Sequence, residues 1–189
     1  MGRVQALMVG TAVALATAVP LAGCGGGGGD NASAPTPKGF HRAQTADFSL
    51  ALPGQWQVDT QKLADAGGSE FVEARAPGTD INRAQLRVAA SRNYKADING
   101  AVLLAEGEIP VRRPGATRVV SKAIDVPGAA DARRVEWTVP AGGGLEAARI
   151  VTVLALSPKR TLVNLSLGVA QSQIGATQID DVVRSLQVR

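Results

Sequence analysis

One cysteine, one histidine and one tyrosine among 189 residues exclude several classes of protein at once. With Cys24 alone the chain cannot form an internal disulfide, so in an oxidising compartment it must be held together by its core. With His41 as the single histidine, the paired His and Cys spacings of a zinc site cannot be made. No Gly-x-Ser-x-Gly nucleophile elbow occurs. The formal net charge of +4 suits solubility and a loose attraction to anionic surfaces, and is too small to point to nucleic acid.

What is present starts with a charge-free apolar run, Ala6 to Leu21, behind a short basic start at Met1-Gly2-Arg3. That is the layout of a secretory signal peptide. Its end, Leu21-Ala22-Gly23-Cys24, resembles the lipobox of bacterial lipoproteins, which implies cleavage between Gly23 and Cys24 and a diacylglyceryl group on the Cys24 thiol. Two acyl chains hold a protein on a bilayer where one binds only marginally. An uncleaved membrane helix is the competing reading, since Val4 to Gly23 approaches the required length, but Pro20 and the glycines after Cys24 fit a processing site better. Myristoylation at Gly2 would need Ser or Thr where Ala6 stands.

Residues 24–39 read as a flexible tether, with an unbroken Gly25 to Gly29 run followed by Pro35 and Pro37. These glycines lack the Lys-Ser/Thr pair and preceding strand of a phosphate-binding loop. Residues 1–23 are thus expected to be signal peptide. Residues 40–189, about 150 in all, have the length of one domain with a sizeable core.

Within that domain, Phe48, Leu50 and Leu52 alternate with Ser49 and Ala51, as in a half-buried strand closed by Pro53-Gly54. Strands are predicted at Glu70 to Arg75, Ala84 to Ser91, Thr117 to Val126 and Ala132 to Val139. A hairpin pairs Ala147 to Leu156 with Thr161 to Val169. The continuous apolar run Ile150 to Leu156 marks a central strand covered on both faces. A helix capped by Asp97 runs to about Gly107, with Val102, Leu103 and Leu104 as its apolar members and Pro110 ending it. A second helix is predicted from about Gln171 to Ser185, with Ile179, Val182, Val183 and Leu186 on one stripe. The order implies an α+β fold, an antiparallel sheet with helices packed on it.

Phe48-Ser-Leu-x-Leu-Pro-x-x-Trp56, the Val126-Pro127-Gly128-Ala129 turn, the late hairpin and the closing Ile179-Asp-Asp-Val-Val-Arg-Ser-Leu186 together resemble the PsbP-like superfamily, particularly lipoproteins of the LpqN and DcrB types. The resemblance runs from about Asp47 to Val188 and rests on spacing and hydrophobic type. It implies a sheet sandwiched by helices, and a class that binds partners or assists assemblies without catalysis. No functional residue is carried over.

The chemistry-bearing residues form no active-site constellation, so no catalytic, metal or cofactor residues are assigned. His41 reads as solvated at the end of the tether, and Glu106 with Glu108, or Asp180 with Asp181, as solvated helix carboxylates. Trp56 and Trp137 could form a binding surface, but Trp137 alternates with Val135 and Val139 as a core residue does. Arg112, Arg113, Arg118, Lys122, Arg133 and Arg134 concentrate positive charge, either as a solvated sheet edge or as a docking patch for an acidic partner. The expected function is a membrane-anchored, noncatalytic binding or assembly module of the cell envelope, with an envelope protein as partner and no nucleic acid. The alternatives are a carrier of a lipid or other apolar ligand, and an envelope hydrolase whose carboxylates come from distant loops.

Overall fold

The computed structural model describes residues 36–62, 70–78, 83–173 and 178–189. The expected signal peptide, Gly23, Cys24 and residues 24–35 of the expected tether lie outside them. Thr36–Gly39 already belong to the folded part. The Phe40 amide donates to the Pro37 carbonyl at 3.1 Å and the Gly54 amide to the Gly39 carbonyl at 2.7 Å.

Seven strands form one antiparallel sheet in the order β3 (Gln57–Lys62), β4 (Glu70–Arg75), β5 (Gln85–Ser91), β9 (Leu162–Ala170), β8 (Ala148–Leu156), β7 (Asp131–Val139) and β6 (Thr117–Ala123). A smaller sheet pairs β1 (Phe40–Gln44) with β2 (Phe48–Pro53), and β2 in turn with β10 (Gln187–Val188). Helix α1 spans Ile98–Arg112 and helix α2 Ile179–Arg184. The fold is mostly antiparallel sheet with few helices, an α+β arrangement.

Because side chains alternate along a strand, the large sheet has two faces and each builds its own core. On the first, Val72, Leu86, Val88, Val151, Val153, Val163, Leu165 and Leu167 pack with Phe48, Leu50 and Leu52 of β2, Val182 and Val183 of α2, and Leu186. On the second, Val135, Trp137, Ile150, Leu154 and Leu162 pack under Ile98, Ala101 and Ala105 of α1. Burying each such large aliphatic side chain contributes about 1.5–3 kcal/mol. β8 supplies both cores, which is why its whole apolar run is covered. Trp137 is 1% exposed.

Several elements differ from the sequence expectation. β2 is buried at every position, not half-buried, because the other side of the strand is covered too. The Ser185 hydroxyl accepts the Ala51 amide at 2.7 Å, and Ser49 meets Gln187. Asp97 caps α1 as expected, its carboxylate accepting the Gly100 amide at 2.8 Å, but Pro110 lies inside the helix. A proline only two residues before the last one of the helix costs the Glu106 carbonyl its usual donor, and the helix continues beyond it to Arg112, with the Arg113 amide reaching the Ile109 carbonyl at 2.8 Å. The expected C-terminal helix is cut to six residues in α2. It is preceded by Gln178 in the left-handed region and by a short 3-10 turn at Gln171–Gln173. Leu186 is buried beyond its end.

The turn between β6 and β7 is tied to the C-terminus. Gly128 has φ 81°, and a Cβ there would lie 1.9 Å from the Val188 carbonyl oxygen. The Val188 amide donates to the Pro127 carbonyl at 2.8 Å. Only glycine allows this approach.

Candidate functional site

The six basic residues singled out in the sequence do not converge. β7 alternation sends Arg133 and Arg134 to opposite faces of the large sheet. On the α1 side, Arg112 pairs with Glu108 at 2.6 Å, Arg118 pairs with Glu106, Arg113 is exposed beyond the helix, and Arg133 is half-buried. On the other side, Lys122 is exposed and sits opposite Arg134 in register.

Arg134 is not a solvated edge residue. It is buried and holds two carboxylates: Glu136 at 2.7 Å from Nε, an ion pair off the hydrogen-bonding line, and Asp180 of α2 at 2.8 Å from Nη1. Arg149 donates its Nε to the other Glu136 oxygen at 2.9 Å. Glu136 is 4% exposed and has both oxygens engaged by guanidinium groups, so it is poorly placed to act as a base. The hydrogen bond from Arg134 holds the Asp180 carboxyl below its ordinary value. Partial burial opposes this, while the charges of Arg134, Arg149 and Arg184 add to it. The network latches α2 onto the sheet.

The other candidate carboxylates are also spent. Asp181 pairs with Arg184, and Asp47, buried at the start of β2, takes Arg92 at 2.9 Å. Asp47 in turn, by bond and by charge, raises the Arg92 guanidinium above its ordinary value. Burial works to raise the nearby Glu70 carboxyl, but hydrogen bonds from Thr45 and from the Ala46 and Asp47 amides bring it below the usual value. His41 is half-buried in β1, opposite Leu52, not at the end of a tether. Among the described residues no group of three or more His, Cys, Asp or Glu side chains is placed to hold a metal ion.

The surface best suited to binding lies beside α1. That helix covers β7, β8 and the end of β9, and leaves the same face of β9, β5 and β4 partly open. There Asn164, Ser166, Gly168 and Ala89 are half-buried, and Arg87 stacks on Phe71 with its guanidinium 4.9 Å from the ring centre. Thr152 Oγ1, Asn164 Oδ1 and Tyr94 Oη are buried without a hydrogen-bond partner in the protein. Buried polar groups are ordinarily met by protein or water, so these three are places for water or ligand atoms. Sequence reading passed over them because isolated Thr, Asn and Tyr carry no spacing signal. It also passed over Arg160, whose guanidinium donates to the Tyr94, Lys95 and Ala96 carbonyls and so fixes the entry into α1.

No family model matches this chain, and no curated protein does. Solved structures do. LpqN of Mycobacterium tuberculosis, described as involved in cell envelope biogenesis, aligns over 79% of this chain and 90% of its own, at 13% identity and a TM-score of 0.54. The two proteins share a fold. A protein of Bacteroides thetaiotaomicron VPI-5482 aligns over 75% of this chain and 45% of its own, at 12% identity and a TM-score of 0.44. At 13% identity the likeness to LpqN concerns the arrangement of strands and helices, so residue roles must come from this chain's own geometry.

Proposed function

We propose that this protein is a lipid-anchored lipoprotein on the extracytoplasmic side of the cell membrane, whose domain is a noncatalytic binding or assembly module of the cell envelope. The observation that carries this reading is the fold shared with LpqN, a protein of cell envelope biogenesis, across nearly the whole of that chain. The lipobox-like Leu21-Ala22-Gly23-Cys24 supplies the anchor. We place the domain in the PsbP-like class, with α1 over one face of the large sheet and α2 with the small sheet over the other. Carboxylates held in ion pairs and unmet polar groups beside α1 favour binding over hydrolysis. The partner is an envelope protein that meets the open, polar half of the sheet beside α1.

Two measurements test this. Mass spectrometry of the protein extracted from membranes should show an N-terminal peptide beginning at Cys24 with a diacylglyceryl mass, and Cys24→Ala should leave the detergent phase. An unmodified Cys24 overturns the anchor. Crosslinking in intact membranes from a photoreactive group at Ser166 should then trap one defined envelope protein, whereas turnover of an envelope substrate by the purified protein would overturn the noncatalytic reading.

A further inference from the structure

A helix packed on a sheet by one apolar stripe ordinarily turns a polar face to water. In α1 the inner stripe is Ile98, Ala101 and Ala105, with Val102 and Ile109 at its margins. The outer positions should therefore be charged, but they read Gly100, Leu103, Leu104, Gly107, Pro110 and Val111, a second apolar stripe at helical spacing. Leu103, Leu104 and Val111 are 68%, 67% and 80% exposed. Of the three apolar members read from the sequence, Val102 packs against the core and the two leucines face outward.

Two features say what covers this stripe. The first is charge: Glu106 and Glu108 are engaged by Arg118 and Arg112 and the Asp97 carboxylate is taken up by the Gly100 amide as the helix cap, while Lys95 before the helix and Arg113 after it are exposed at its two ends. An apolar stripe with basic ends suits a surface that is apolar within and anionic at its rim, which describes a bilayer containing acidic lipid. The second is chain length. Eleven residues separate an anchor at Cys24 from the first described residue, Thr36, a reach of about 40 Å when extended. Layers packed about 10 Å apart place the outer side of α1 roughly 25 Å from the small sheet that carries β1. The anchor therefore permits this face to meet the membrane. A second copy suits it less well, because a stable dimer buries about 800 Å² per partner and three aliphatic side chains fall short of that.

Resting on the lipoprotein reading above, we infer that the outer face of α1 lies in the headgroup boundary of the membrane to which the chain is anchored, inserting Leu103, Leu104 and Val111 and setting Lys95 and Arg113 against acidic lipid headgroups. Because anchoring makes the contact intramolecular, weak insertion is enough. The domain then sits with α1 down and its first face turned away from the bilayer, so the open half of the sheet beside α1 faces the membrane and an envelope partner that meets it is itself membrane-borne.

The test uses the full mature protein, purified from membranes and reconstituted in vesicles, with a polarity-sensitive fluorophore on Leu104→Cys or, as control, on the exposed Gln44→Cys in β1. In vesicles of phosphatidylglycerol and phosphatidylethanolamine the Leu104 probe should shift to the blue and be quenched by nitroxide-labelled lipid, while the Gln44 probe does neither. In phosphatidylcholine vesicles the shift should shrink. Leu103→Asp in the labelled protein should abolish it with the melting temperature unchanged. Protein that is acylated and floats with the vesicles but keeps its Leu104 probe in water overturns the inference alone. A shift that follows protein density in either lipid, with copies crosslinking through Leu104→Cys, assigns the face to a second copy and also overturns it. Protein with no acyl group that fails to float overturns the lipoprotein reading and this inference together.

Discussion

The two faces of the large sheet are built from the same strands and end up unlike. The first is closed: aliphatic side chains from five strands meet β2, α2 and Leu186, and one buried charge network, centred on Arg134, sits at its edge. The second is closed only under α1, by a small cluster around Trp137, and opens beyond it into half-buried polar residues. Stability is concentrated on one side, and surface free for contact on the other. Loops and other weakly packed regions are where function is ordinarily found; here the candidate surfaces are instead an exposed sheet half and a helix with an apolar outer face.

Core truncations on both faces should have the largest effects. Trp137→Ala under α1 should cost about 3–5 kcal/mol in denaturant unfolding, and Leu165→Ala on the first face about 2–5 kcal/mol. If the second face is locally cooperative, Trp137→Ala should also release amide protection in α1 before the rest of the sheet. Uniform loss of protection would show that the two cores unfold as one.

Arg134→Ala should cost a similar 3–5 kcal/mol, because it leaves Glu136 buried with half its partners gone. Arg134→Met with Glu136→Leu should recover most of that loss, since a well-packed apolar pair replaces a buried ion pair at little cost. Failure of the double variant to recover would mean that the network does more than satisfy itself.

A smaller loss, about 1–3 kcal/mol from backbone conformation alone, is expected for Gly128→Ala, with added displacement of Val188. Exchange at the Val188 amide reads it directly. The smallest effect is pH-dependent. The folded Asp180 carboxyl titrates below its ordinary value, so its pairing with Arg134 stabilises the fold above that ordinary value and is lost as pH falls through the lowered one. Asp180→Asn should therefore lower the melting temperature at neutral pH and match the wild type in strong acid. A constant difference across that range would remove Asp180 from the latch.

Strand and helix identity was legible wherever apolar residues recurred at a clear period. β8 and β9 show this best, and the capping Asp97 marked the start of α1. β1 and β3 were missed because Phe40-His41-Arg42-Ala43-Gln44 and Gln57-Val58-Asp59-Thr60-Gln61-Lys62 carry almost no alternation; they form by pairing with β2 and β4. The opposed faces of Arg133 and Arg134 follow from strand period alone, so the failure of the basic cluster to gather could be read in advance. What could not be read is that α2 brings Asp180 over Arg134, a contact between residues 46 positions apart in sequence. The candidate binding face was illegible for the same reason, as the burial of Thr152 and Asn164 depends on sheet order and that of Tyr94 on the Arg160 bonds that seat the start of α1.

The C-terminal residues have a consequence for the order in which the domain can assemble. Val188 pairs with Phe48, Gln187 with Ser49, and Ser185 satisfies the Ala51 amide, so the first long apolar strand of the domain is completed by its last few residues. Contacts of such separation come late in folding, because the chain must lose most of its freedom before they form. A polypeptide delivered from its N-terminus, whether by the ribosome or through a secretion channel, holds β2 with one edge unpaired until Gln187 and Val188 have emerged. A truncation before Ser185 would leave that edge open for good.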